Sequence, residues 1–594
     1  MDPKTTRDAP LGLVDTAELA RRLGVSKATI RSWRNRQAPW LPEPVGRLDG
    51  FVWREEDVTE IAQSAPRGPG RPSAVGGNEL EMARRRSRGV YYTPQDAAHF
   101  IASWAVRGAG ETFLEPSFGD GSFIKAVADV AGQGEGRPSW IACELDGRVA
   151  SDAVEAGLVR ERELRHGDFL AVESQPVDAV VANPPFVRLR HLPESMRARA
   201  LNRASELLGE PMHPSGSVWM PFVAHMLTFL KNGGRAALVL PLDFTYVAYA
   251  RPLWRHLGNN FASLRVLRAR QRIFPDINQD VMILLADGYG GSTNTIQYDA
   301  FHSITELARG ANALSAQISI QDVVSGDRAF QKALLPVGLG GLLREVAPHL
   351  QPASERAVFR IGYISGNKSF FHPTSQTAER FSLPTHNLHP AVVNARRLRG
   401  LGLRTSGMDE TSADHLWVPS GTLADGETQY VNYGAALGVS AGYKARMRSP
   451  WYRVPEVRAP DVILSVFSER PLLLINDANW LASNSLLCGY VKGGSAEEFA
   501  QGWYSPLTLL SIGLEVHSLG GGVMVMVPNE ASRVQMPRLT SPSSTSAALE
   551  SSILAGDMQG AYASGDAAAA KLVGRRGLEL VYEGIENLAL WRTR

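Results

Sequence analysis

Residues 180–186, Val180-Val181-Ala182-Asn183-Pro184-Pro185-Phe186, constrain the fold more than any other stretch: an apolar strand runs straight into two consecutive prolines. Each proline fixes φ near about −65°, removes a backbone donor and keeps the residue before it out of the helical region. The strand must therefore stop at a rigid corner whose carbonyls cannot be absorbed into a helix. A corner at the carboxyl end of a buried strand is where open α/β sheets bind ligands. This one offers the side-chain oxygen of Asn183, the main-chain carbonyl of Pro184, a second stiffening residue in Pro185 and the ring of Phe186. Those groups suit a planar amino group and its ring. Two acceptors on the exocyclic N–H bonds of an adenine would draw the nitrogen toward tetrahedral geometry and meet its growing positive charge with preorganised dipoles. Phe186 would stack on the base.

At 594 residues the chain is too long for one core, and at roughly 100 to 200 residues per domain it should hold three or four. With 62 basic and 60 acidic residues the net charge points to no partner, so a nucleic-acid footprint has to be sought in local clusters. The only cysteines, Cys143 and Cys488, exclude a disulfide framework or a Cys-rich zinc site. The polar start Met1-Asp2-Pro3-Lys4 lacks a signal-peptide core, and no apolar run approaches about 18 residues. A soluble cytoplasmic protein without a membrane partner is expected. No constellation of a metal-bound nuclease is visible, and no metal site is expected.

Residues 14 to 33 have helix-turn-helix spacing, with Thr16 and Ser26 placed as caps and Gly24 at the turn. Arg21, Arg22, Lys27, Arg31, Arg34 and Arg36 follow one another with no acid between them. On a recognition helix Lys27, Arg31, Arg34 and Arg36 would meet phosphates and base edges. Residues 42–53 could form a hairpin wing, and a helix should follow from Glu55 to Ala62. The unit, 1–64, resembles the winged helix-turn-helix domains of the MerR and excisionase group; a small domain that docks on protein is the competing reading. A flexible linker is expected over 65–85, followed closely by the Arg84-Arg85-Arg86-Ser87-Arg88 cluster, which is either a solvated charge run or a phosphate contact.

From residue 89 strands and helices alternate as in a doubly wound sheet. The expected strands are 112–115, 140–144, 164–166, 179–182, 236–240, 264–269 and 280–286, the last two paired as an antiparallel hairpin. Between the first strands lies Glu115-Pro116-Ser117-Phe118-Gly119-Asp120-Gly121-Ser122-Phe123, a strand end, a glycine turn and a helix start. Gly119 and Gly121 let backbone approach a ligand. Glu115 is an acid where a pyrophosphate binder would avoid one, and it suits a ligand carrying an ammonium and a sulfonium. The second strand ends in Glu144, placed for ribose hydroxyls, and the third in Asp168-Phe169, an acceptor for an adenine amino group beside an aromatic face. Each acid alone is an ordinary loop residue; their order at consecutive strand ends carries the signal.

The set Gly89 to Pro94, Glu115 to Phe123, Glu144, Asp168-Phe169 and Asn183 to Phe186 resembles the ordered motifs of gamma-class, TaqI-like DNA adenine-N6 methyltransferases over roughly residues 86 to 530. The resemblance implies a Rossmann-like seven-stranded sheet over 86–310 and S-adenosyl-L-methionine as cofactor. It implies Thr93, Glu115, Pro116, Gly119 and Gly121 around the methionine end, Glu144 on the ribose, and Asp168 and Phe169 on the adenine. It also implies Phe274, in Arg272-Ile273-Phe274-Pro275, as a second aromatic on the extruded base; a core residue closing the hairpin is the alternative. Double-stranded DNA, base flipping, restriction-modification or phage defence, and a separate restriction or defence subunit follow from the same likeness.

The arginines Arg265, Arg268, Arg270 and Arg272 lie on the sixth expected strand or just past it, as edge charges or phosphate contacts. A helical connector is expected over 311–350 and a mixed α+β target-recognition domain over 351–535. There 359–371 reads as two strands about a turn. Basic and aromatic residues interleave over 443–453, with Lys444, Arg446 and Arg448 as DNA contacts. The tail, 536–594, should be helical after a Ser/Thr/Pro-rich start. Two other functions share the pocket: methylation of RNA or a protein glutamine, and DNA-binding regulation with cofactor sensing alone.

Overall fold

A computed structural model describes residues 93–592, apart from 133–135, 275–279, 309–313, 399–401, 408–413, 520–522 and 539–546; nearer the amino terminus it describes 13–15, 19, 46–47 and 51–54. The chain divides into two compact units, Met1–Tyr91 and Tyr92–Arg594. In the first unit β1 (Leu13–Asp15), β2 (Gly46–Arg47) and β3 (Phe51–Arg54) form a small sheet in the order β1-β3-β2. The β2–β3 pair, with Gly46 opposite Val52, falls within the stretch expected as a wing. Lys27, Arg31, Arg34 and Arg36, the linker over 65–85, the Arg84 to Arg88 cluster and Gly89 to Tyr92 lie outside the described residues.

The second unit is organised by a nine-stranded mixed sheet: β4 (Thr112–Glu115), β5 (Ser139–Glu144), β6 (Leu164–His166), β7 (Val177–Ala182), β8 (Leu230–Pro241), β9 (Phe261–Ala269), β10 (Val281–Tyr289), β11 (Thr295–Phe301) and β12 (Leu314–Ser319). Their order is β12-β11-β9-β10-β8-β7-β4-β5-β6. All seven expected strands are present, and β9 and β10 pair antiparallel as expected, Ile283 opposite Leu267. Seven is nevertheless too few. β11 pairs parallel to β9, and β12 extends the edge antiparallel to β11. β11 mixes polar residues into a largely buried strand, Thr-Ile-Gln-Tyr-Asp, and β12 is half-buried or exposed along most of its length, so both carry a weak strand signal, and β12 lies inside the stretch expected as a helical connector.

Strand β4 has β5 on one side and β7 on the other, both parallel to it, so the strand order reverses there. Open sheets bind ligands in the crevice where the strand order reverses, here at the carboxyl ends of β4 and β7. Those strands can lie buried on both faces because they are nearly continuous apolar runs: Val177, Ala179, Val180, Val181 and Ala182 are each fully buried. Covering helices include α1 (Gln95–Ala105), α2 (Ser122–Ala131), α3 (Gly147–Glu155), α4 (Glu194–Leu208), α5 (Trp219–Leu227) and α6 (Arg251–Asn260).

The carboxyl-terminal part begins and ends on one strand pair, Leu350–Pro352 against Gln535–Pro537. Inside it a four-stranded sheet runs Ala357–Ile361, Leu486–Val491, Val462–Ser465, Leu473–Ile475. The expected two strands over 359–371 are corrected to one: after Ile361 the chain enters a short helix, Lys368–Phe371, because the Asn367 side chain caps it by accepting the Phe370 amide. The tail is helical over Ala547–Leu554, Met558–Ala563 and α8 (Asp566–Leu590). With α7 (Pro506–Glu515), α8 joins the core of the large sheet through Leu507, Leu510, Leu514, Ala569, Val573, Val581 and Leu588. No described helix is long and apolar enough to cross a membrane.

Candidate active site

The crevice is stitched together from three directions. Asn183, the first residue past β7, donates its side-chain amide to Thr93 Oγ1 at 3.3 Å, and its main-chain carbonyl accepts from Ser117 Oγ at 3.4 Å. The prolyl corner, the segment ahead of α1 and the turn after β4 therefore meet at one place. Thr93 is 7 % exposed, and Pro94, with φ −54°, caps α1 with its carbonyl on the Ala98 amide. At the corner Pro184 is buried and Pro185 and Phe186 are half-buried, so the Phe186 ring is only partly covered by the core it packs on.

Glu115 ends β4 as its hydrophobic run enters the turn. Its carboxyl is 3 % exposed and Oε2 has no hydrogen-bond partner, a costly state for a carboxylate. Burial raises its pKa well above the ordinary carboxylate range, and the charges of Asp120 and Glu144 raise it further. Pro116, also buried, fixes the exit from the strand. Gly119 and Gly121 both take positive φ, 55° and 70°, and Gly121 is the amino-terminal cap of α2. A Cβ on Gly121 would lie 2.3 Å from Leu158 Cδ2. Gly121→Ala should therefore cost roughly 1 to 3 kcal/mol through left-handed backbone strain and the clash. Thermal melting without ligand checks this; an unchanged melting temperature would show that the turn relaxes freely.

Glu144, at the end of β5, accepts the Gly119 amide on Oε2 at 3.0 Å and the Asp146 amide on Oε1 at 2.9 Å. It holds the glycine turn, and a carboxylate oxygen retains a second lone pair for a hydroxyl. Asp168, past β6, accepts the Leu170 amide and pairs with Arg199 of α4 at 2.6 Å. An incoming adenine amino group would share or displace that arginine. The Phe169 ring is 2 % exposed and packs against Phe222, His225 and Phe229, with centroids 4.8 to 5.7 Å away. Phe274 is likewise buried, at 5 %, beside residues outside the described set, which favours the hairpin-closing alternative over an offered ring.

The expected basic contacts divide. Lys444 and Arg446 are exposed. Arg448 is not available as expected, because its guanidinium donates to the carbonyls of Ile364 and Ser365 and lies over the Phe371 ring. Among the strand arginines, Arg268 is buried and donates to the Trp591 carbonyl, Arg265 pairs with Asp299, and Arg272 lies 3.9 Å from Asp280. Only Arg270 is exposed as a phosphate contact would need. The cysteines are buried, and burial pushes both thiols up to about 12, which makes them inert.

Sequence reasoning missed Asp243. It follows β8 at the same edge of the sheet as Asn183, since β7 and β8 are parallel with Ala182 opposite Leu238. Its signal was available: an acid two residues beyond a buried strand that neighbours the prolyl corner. Its Oδ1 has no hydrogen-bond partner, and burial pushes its carboxyl up from 3.8 to about 6 against the opposing charges of Arg188 and His517 and the hydroxyl of Tyr249. The fold holds this proton more tightly than the unfolded chain does. Its stabilising contribution is therefore complete below about pH 3.8 and lost as pH rises through about 6. Asp243→Asn should gain melting temperature relative to wild type progressively over that window and hold the gain above it. A difference that stays flat from pH 4 to about 7 would assign the ionisation elsewhere.

A family model described as N-6 DNA Methylase matches residues 156–249, and one described as Type II methyltransferase M.Eco57I, C-terminal domain, matches 328–569. Type II methyltransferase M.AccI of Acinetobacter calcoaceticus is 18 % identical over 427 residues, 67 % of this chain and 75 % of that one. Type II methyltransferase M.PaeR7I of Pseudomonas aeruginosa is 26 % identical over 273 residues, 39 % and 43 % of the two chains. The crystal structure of the type IIG restriction endonuclease BpuSI aligns with a TM-score of 0.40 at 14 % identity, over 97 % of this chain and 76 % of that one. Residues 156–249 are thus similar to the N-6 DNA methylases and residues 328–569 to the carboxyl-terminal domain of M.Eco57I, and the relatives with the same likeness are Type II methyltransferases of restriction-modification.

Proposed function

We propose that the protein transfers the methyl group of S-adenosylmethionine to the N6 amino group of adenine in a specific double-stranded DNA sequence, within restriction-modification or phage defence. The observation that carries this reading is the meeting of Asn183 with Thr93 and Ser117 close in the chain to Glu115, whose buried Oε2 has no partner: a polar corner for an amino group next to a buried acid for a cation. Glu115, Gly119, Gly121 and Thr93 would hold the amino-acid and sulfonium end of the cofactor, Glu144 its ribose and Asp168 its base. Bound there, the cofactor supplies an electrophilic methyl group.

The chain's own residues do the rest. Asn183 and the Pro184 carbonyl accept the two N6 hydrogens, so the nitrogen lone pair is released from the ring toward the methyl carbon. One N–C bond forms, one S–C bond breaks, and the surplus proton on nitrogen passes to solvent after transfer, so no base is needed beforehand. Phe186 supplies a ring face to the base. Taking adenine out of the duplex costs a few kcal/mol of unstacking, which contacts elsewhere must offset. The winged helix-turn-helix over 1–64, its basic residues and the 351–535 region are the parts we assign to that grip. The gamma class, a cytoplasmic location and a separate nuclease partner belong to the same reading.

Label transfer tests it. Wild type is incubated with methyl-tritiated S-adenosylmethionine and plasmid DNA, and the DNA is digested to nucleosides. Label in N6-methyladenosine of the deoxy series supports the reading. Label in RNA or protein instead favours the RNA or glutamine enzyme, and DNA binding without label favours a regulator.

A further inference from the structure

Two separate stretches of the carboxyl-terminal part, 361–378 and 428–455, contain no Asp or Glu; they carry Lys368, Lys444, Arg446, Arg448 and Arg453. The fold locks them together. Arg448 reaches from the second onto the Ile364 and Ser365 carbonyls of the first. Gly366, at φ 84°, approaches so closely that a Cβ there would lie 2.9 Å from the Lys444 Cβ. Ala445, 6 % exposed, anchors the short helix Tyr443–Arg446, whose Arg446 amide bonds back to the Gly442 carbonyl.

A segment pinned this firmly nevertheless holds two large apolar side chains out. Tyr443 is 67 % exposed and Met447 72 % exposed, and they are four residues apart, so they stand on one face. Ile364, 38 % exposed, belongs to the loop that Arg448 grips. Lys444 Nζ lies 5.7 Å from the Tyr443 ring centre. An apolar ridge between cations, on two stretches that carry no Asp or Glu of their own, complements a polyanion that also offers apolar faces. Duplex DNA does so between its base pairs, where proteins insert large apolar side chains and kink the helix.

We propose that Tyr443 and Met447 form a wedge that enters between base pairs of the bound duplex while Lys444 and Arg446 hold the flanking phosphates; this rests on the DNA-methyltransferase reading above. The wedge separates a step and stacks against it. Lys444 and Arg446 thereby become positioning contacts, and Arg448 becomes the internal strut that keeps the ridge erect.

The methylated sequence is first read from genomic DNA of cells expressing the protein. Duplexes of that sequence, with a base-analogue fluorophore at each step in turn, are titrated with wild type, Tyr443→Ala/Met447→Ala and Tyr443→Phe/Met447→Leu. Wild type should brighten one step other than the target adenine. The alanine pair should lose that signal and bind about tenfold more weakly with an unchanged salt slope, and the Phe/Leu pair should restore both. Persistent brightening in the alanine pair, or no second unstacked step in a wild type that methylates this DNA, overturns the wedge and leaves the methyltransferase reading intact. A wild type that transfers no methyl group to any DNA overturns that reading and the wedge with it.

Discussion

Asn183→Ala is expected to lower the rate of methyl transfer at saturating substrates by about 10²- to 10³-fold or more, the loss typical of a preorganised group that meets charge developing in the transition state. The effect should fall on kcat and hardly on cofactor affinity, because the acceptor oxygen is needed most when the nitrogen becomes tetrahedral. The folded state should change little, because Asn183 is only half-buried and its side-chain bond to Thr93 is long, at 3.3 Å. Single-turnover kinetics with labelled cofactor reads the step. Transfer at the wild-type rate would remove Asn183 from the chemistry and leave the corner a structural bend.

The second large effect should come from Glu115→Gln, and it has two opposite parts. Without ligand the buried carboxyl is a burden. Its pKa is raised well above 4.5 by burial, so its stabilising contribution is full below 4.5 and lost as pH rises through the folded value. Glutamine removes that loss, and the ligand-free variant should melt at the wild-type temperature or above it near neutral pH. With a cationic ligand the sign reverses. The carboxylate then gains a partner where it has none, and losing it should weaken S-adenosylmethionine binding by about 3 kcal/mol, on the order of a hundredfold or more. Wild-type binding should also release a proton and tighten as pH rises, whereas the variant should bind without that dependence. Calorimetry in two buffers of different ionisation enthalpy measures both. A variant that binds the cofactor as tightly as wild type would show that this buried acid serves some other purpose.

How far the site could be read in advance depended on the kind of residue. Residues whose backbone role and chemical role coincide were legible. The prolines after Asn183 dictate a corner wherever they occur, and the glycines at 119 and 121 dictate a left-handed turn, confirmed by φ of 55° and 70°. Aromatic residues were not legible. Phe169 and Phe274 have the sequence neighbours of a ligand contact, but a ring beside a turn can face inward or outward with equal local cost. The neighbours that cover the Phe169 ring, Phe222, His225 and Phe229, come from 53 to 60 residues on. Basic residues were half legible: the charge of Arg448 is evident, whereas the two carbonyls that absorb it come from a loop more than eighty residues earlier.

By itself the sequence determined the seven principal strands, the corner, the glycine turn and the acids at successive strand ends, because each follows from local torsional preference or from an apolar run that must be buried. Only the tertiary structure decided that β10 inserts between β8 and β9, that two more strands extend the sheet, and that Glu115 lies without a partner while Asp168 has one. Strand order, burial and pairing are set by packing between segments far apart in the chain, and long-range packing leaves no mark in any one of them. The same reason covers Tyr443 and Met447: their apolar character is written in the chain, but their exposure exists only because the two acid-free stretches are locked face to face.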